Sequence, residues 1–203
     1  MEDSFGRFGA SRGLADAAGH RVEALTPLLA RAEGLALDPA LAGTMAGGRE
    51  GVLGLLRYGA GHAVGAESDT SFEFLVAITR IPAAEPLVPR LFCRRQRRVE
   101  SIGGMGFELD DEDAWTESEA LTARYDVAIS PYQDLNWIRQ LLSPKFIDWL
   151  VSVPPESFAF ELAYGDLAGS VEVGDGSVAR LEAVWDATAT VAQRIAEECA
   201  EEL

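Results

Sequence analysis

Lysine is almost absent from this chain: Lys145 stands alone against sixteen arginines. Positive charge is scarce altogether, 17 basic residues against 33 acidic ones, so the formal net charge is -16. A surface of that sign repels phosphate backbones at long range, which argues against nucleic acid as a partner. Cysteine is nearly absent too. Cys93 and Cys199 lie far apart, with no CxxC spacing and no neighbouring histidine, which excludes a zinc finger or a disulfide framework and leaves two reduced, buried thiols as the expectation. No apolar run reaches the roughly 18 residues of a spanning helix, because Arg80, Glu85, Lys145 and Asp148 interrupt the most apolar stretches. The opening MEDSFGRFGASRG carries acids where a signal peptide needs a basic region. A soluble, cytoplasmic protein without membrane insertion is the expectation.

What is present is the composition of a folded protein, 48% hydrophobic with 25% charged residues. Residues 1–13, rich in Gly, Ser and charge, read as a flexible tail, and 14–203 as one α+β domain. Val22, Leu25, Leu28, Leu29, Ala32 and Leu35 have helical spacing, and Thr26-Pro27 suits the start of a short helix. VLGLLRY (52–58), SFEFLVAITRI (71–81), RLFCRRQRRV (90–99) and GFELDDE (106–112) read as strands. Their short connections predict an antiparallel meander, since a parallel pairing needs a long crossover. A turn of helix at 117–123 and the strand RYDVAIS follow. DLNWIRQLLSPKFIDWLVSV then predicts two helices that bend at Ser143-Pro144. FAFELAY and LAGSVEV form a hairpin around Gly165-Asp166. Ser177 caps a last long helix with Val178, Leu181, Trp185, Thr188, Ala192, Ile195 and Cys199 in one stripe, frayed beyond about Glu197 where acids oppose the helix dipole. The fold class is therefore an antiparallel meander sheet packed by N-terminal, central and long C-terminal helices.

RLFCRRQRRVE, residues 90–100, places five arginines in eleven positions of this acidic chain. A turn at Gly103-Gly104 sets Arg97 opposite Asp110, Arg95 opposite Glu112 and Arg94 opposite Asp113, a cross-strand ladder that answers most of the positive charge from within. Arg90 and Arg98 are then the candidates for contact with an anion or a partner. Trp115, set among acids in DDEDAWTESE, is a third candidate contact if exposed, whereas a fold back onto the sheet gives it a structural role. Trp137, Trp149 and Trp185 fall on helical stripes and read as core.

No motif survives as a catalytic signature. GASRG (9–13) matches the nucleophile elbow G-x-S-x-G, but only eight residues precede it and no sheet is there to hold Ser11. GAGHAVG (59–65) follows a strand yet precedes another strand, so it lacks the helix N-terminus on which a pyrophosphate rests. His20 and His62 have no evident carboxylate partner. Asp110, Asp111, Glu112 and Asp113 lack the glycine and the distal glutamate of a calcium loop. No cofactor and no metal are expected.

The stretch 116–167 resembles a loose group of bacterial domains of unknown function, of actinobacterial and other GC-rich type. The resemblance rests on Ser118, Glu119, Arg124, Tyr125, Leu142, Ser143, Pro144, Trp149, Leu150, Phe160 and Glu161, within about a quarter of the chain. It implies an α+β fold and no activity. The functions left are a non-enzymatic module that contacts a protein partner or a second copy of itself, a carrier of a small apolar or amphiphilic ligand, and an enzyme whose groups converge from distant positions.

Overall fold

The structure, a computed structural model, describes residues 1–21, 26–30, 36–59, 71–88, 90–95, 113–115, 117–131 and 133–201. Its elements in chain order are α1 (Glu2–Arg12), β1 (Ala15–Asp16), β2 (His20–Arg21), α2 (Pro27–Ala30), β3 (Ala36–Leu37), β4 (Ala40–Thr44), β5 (Glu50–Gly59) and β6 (Ser71–Arg80). After a 3-10 turn come β7 (Arg90–Arg95), β8 (Asp113–Ala114), α3 (Glu119–Thr122), β9 (Tyr125–Ile129), α4 (Leu135–Leu141), α5 (Pro144–Ser152), β10 (Ala159–Ala163), β11 (Asp166–Glu172) and α6 (Val178–Glu201). Nine strands form one antiparallel sheet in the order β1-β4-β5-β6-β11-β10-β7-β9-β8. The α+β class and the antiparallel sheet are as the sequence predicts. Within that sheet the hairpin β10–β11 inserts between β6 and β7, so strands consecutive in the middle of the chain are separated in space. The hairpin turns through Tyr164-Gly165, both at positive φ (50° and 87°), the backbone of a tight two-residue turn.

Alternation along the strands sorts their side chains to two faces. Leu53 and Leu55, Leu75 and Ala77, Leu91 and Cys93, and Phe160 and Leu162 belong to the main core beneath the helices. Leu56, Val76 and Ala168 point the other way, onto Leu28, Leu29 and Leu37 of α2 and β3. Both faces of the central strands are thus covered, which explains why those strands read as nearly continuous apolar runs. The predicted stripe of α6 lies on the main core: Leu181, Trp185, Ala192, Ile195 and Cys199 are buried. The helix comes so close to β11 that a Cβ on Gly169 would stand 1.9 Å from Thr188 Oγ1. Gly169→Ala is therefore expected to destabilise by about 1–3 kcal/mol through overpacking. Chemical denaturation should show Thr188→Ala restoring part of that loss in the double variant.

Three expectations are corrected. Residues 2–12, read as a flexible tail, form α1, because Phe5 and Phe8, one turn apart, bury against the core and Phe8 meets Trp185 edge-on with ring centroids 6.4 Å apart. Arg12 of α1 pairs with Asp186 of α6 at 2.8 Å. Ahead of the helical stripe expected from Val22 to Leu35 the chain forms the short strands β1 and β2, and α2 starts at Thr26-Pro27 in agreement with the sequence reading, whereas Val22, Leu25, Ala32 and Leu35 lie outside the described residues. α6 continues as helix past Glu197 to Glu201, with Glu198 and Cys199 buried, because Arg194 one turn back pairs with Glu198 and offsets its charge. The third correction is the register of Arg94: it stands opposite Asp126 of β9, while Asp113 of β8 stands opposite Ile129. Arg97, Arg98, Asp110, Asp111, Glu112, the Gly103-Gly104 turn and the strand expected at 106–112 lie outside the described residues.

Candidate binding groove

The Ser143-Pro144 junction starts a new helix, so α5 leaves α4 at a bend. Its far end is held by Arg124, whose guanidinium donates to the carbonyls of Val151, Pro154 (3.2 Å) and Pro155 (2.7 Å). Tyr125 donates its hydroxyl to the Leu150 carbonyl at 3.3 Å. Arg124, Tyr125 and Leu150, which belong to the resemblance motif, thus dock α5 on the sheet. The near end is fixed from α6: Arg194 donates to the carbonyls of Gln140 (2.6 Å) and Leu141 (3.4 Å), the last residues of α4, and also pairs with Glu198.

Between these fixed helices runs an open groove of about 680 Å³. The α5 side contributes Lys145, Phe146 and Trp149, the α6 side Ala189, Gln193 and Glu197, and the turn after β4 closes one end with Ala46 and Gly47. Phe146 and Trp149 stack, with ring planes 9° apart and centroids at 5.4 Å. Phe146 is buried and Trp149 half-buried, so the pair makes an apolar platform that opens into the groove. The α6 side carries a polar relay: Arg49 donates to Gln193 Oε1 (3.0 Å), and Gln193 Nε2 donates to Glu197 (2.7 Å). Lys145 is exposed in the first turn of α5 and makes no ion pair among the described residues.

The residues singled out from sequence do not converge here. Trp115, a candidate exposed contact, is buried at 5% exposure with its backbone N–H bonded to the Val127 carbonyl, so it folds back onto the sheet. Arg90 is half-buried, its guanidinium 5.8 Å from the Tyr164 ring centre. Arg98 and His62 lie outside the described residues. His20 is exposed on β2, and Ser11 lies within α1, where its hydroxyl donates to the Phe8 carbonyl at 2.8 Å. Trp137 and Trp185 are core, as predicted, whereas Trp149 faces the groove in part. Cys93 is fully buried, and that burial pushes its thiol far up, so it stays protonated. Among the described residues no group of three His, Cys, Asp or Glu side chains could hold a metal ion, and no helix is long and apolar enough to cross a membrane.

Sequence reasoning missed the groove because its walls come from segments about 45 residues apart in the chain. Two signals were nonetheless present: the solitary lysine, and an aromatic pair at i, i+3 directly after Ser-Pro.

A long helix and a bent helix pair over a nine-stranded antiparallel sheet, with a groove between the helices, define an α+β protein. No family model matches the chain, and no curated protein matches it. Among solved structures, the mycobacterial trehalose monomycolate transport factor A, TtfA, is similar over 97% of this chain and 92% of its own, with a TM-score of 0.58 and 9% sequence identity. At that identity the likeness shows the fold alone.

Proposed function

We propose that the protein is a non-enzymatic binding protein of the carrier type, which takes an apolar or amphiphilic ligand in the groove between α5 and α6. The observation that carries this reading is the stacked Phe146–Trp149 pair on the α5 side of the groove, in which Trp149 is half-buried. A volume near 680 Å³ falls within the roughly 300–1,000 Å³ of small-ligand sites, and an apolar lining with a few polar groups is what such sites present. The fold shared with TtfA, a transport factor for trehalose monomycolate, is compatible with a carrier. The reading treats residues 14–203 as one working unit with α1 docked on it.

Native mass spectrometry of the purified protein tests this. A small-molecule mass that stays bound to the wild type and is lost in Trp149→Ala is the expected result. The alternative is a protein-contact module, favoured by the fact that the groove opens to solvent along one side. A clean apo mass at a discrete oligomeric state, sensitive to Trp149→Ala, supports that alternative against the carrier.

A further inference from the structure

Resting on the carrier reading, we infer that the ligand is a single-chain amphiphile with an anionic head, its tail on the Phe146–Trp149 platform and its head at Lys145. The charges around the groove lead to this choice. Arg194, although it lines the groove, is committed to Glu198 and to the end of α4. Arg49 is turned to Gln193, and Gln193 in turn to Glu197. Lys145 is the groove cation left without an ion pair among the described residues, and it sits in the first turn of α5, where the helix dipole adds to its positive potential. Glu197 lines the same groove from the α6 side. Among the lining charges Arg194 is paired with Glu198, so an anionic head is drawn to the Lys145 ammonium and repelled by the Glu197 carboxylate.

The background field makes the pairing specific. A chain of net charge -16 repels anions from most of its surface. An anionic amphiphile that nevertheless binds more tightly than a neutral one of equal tail must be held by a local cation. The chemistry shared by a fatty carboxylate and an alkyl phosphate is the same at this site: an oxyanion that accepts from an ammonium donor.

The test is isothermal titration calorimetry of the full chain with dodecanoate, dodecyl phosphate and the neutral dodecyl maltoside, each below its micelle concentration, with circular dichroism to verify that every variant is folded. For the wild type, at least one anionic probe is expected to bind about tenfold more tightly than the neutral one, the gain of one charge-assisted hydrogen bond. Lys145→Ala should bring that probe to within about twofold of the neutral one measured on the same variant, and Lys145→Glu should reverse the preference in favour of the neutral probe. A preference shown by only one of the two anions identifies the head group. Equal binding of neutral and anionic probes, or an anionic preference that survives Lys145→Ala, overturns the inference and leaves the carrier reading standing. If no probe binds, or binding is untouched by Trp149→Ala, the carrier reading itself fails.

Discussion

Trp185→Ala is expected to lower the free energy of unfolding by about 3–5 kcal/mol, the usual cost of truncating a large buried aromatic. The indole is 2% exposed in the N-terminal half of α6, with Phe8 edge-on to it and both within the main core. Removing it opens a cavity at the junction of α1, α6 and the sheet, and α1 loses the ring against which it docks. Two readouts separate these effects. The denaturation midpoint of the whole protein should fall, and amide exchange in residues 2–12 should accelerate beyond what global destabilisation predicts. A midpoint unchanged by the substitution would show that α6 is not docked on the sheet.

The second large effect concerns an ion pair on the opposite face. Glu161 of β10 and Arg94 of β7 meet at 2.8 Å with side chains 6% and 14% exposed, and the second Glu161 oxygen accepts the Leu28 backbone N–H at 2.7 Å. The same carboxylate thus pairs the neighbouring strand and ties down α2. Arg94 also lies over the Phe92 ring, 4.6 Å from its centre. Deleting either partner breaks a largely buried ion pair, so Glu161→Ala and Arg94→Ala are each expected to cost about 3–5 kcal/mol. The double variant should cost far less than the sum, because neither charge is then left behind. Glu161→Gln separates the roles: it keeps an acceptor for Leu28 but not the charge, so amide exchange at Leu28 should stay slow while stability falls. Additive single-variant losses would mean that the two residues act independently.

This pair also answers the arginine cluster in part. An internal acid does meet Arg94, but that acid is more than sixty residues downstream on β10 and not on the next strand of the chain. Local pairing rules count residues through a turn, and they cannot foresee that a distant hairpin will insert beside β7. The same limit explains α1. Phe5 and Phe8 are too few to mark an amphipathic helix, and they become a docking face only once α6 brings Trp185 to them.

Where the signal is local, the sequence by itself determined the outcome. Ser118, Asp134 and Ser177 accept first-turn N–H groups of α3, α4 and α6 as caps do, and Ser143-Pro144 bends the central helices. The strand alternation, the β10–β11 hairpin, whose turn at Tyr164-Gly165 comes one residue before the expected Gly165-Asp166, and the buried stripe of α6 also follow from residue type and spacing, because each depends on neighbours within a turn or two. Tertiary structure alone decided the strand order, the burial of Trp115, the Glu161–Arg94 pair and the groove in which Lys145 and Trp149 meet α6. The physical reason is that these features arise where surfaces remote in the chain are pressed together. Burial, charge pairing and concavity belong to that contact and not to either segment.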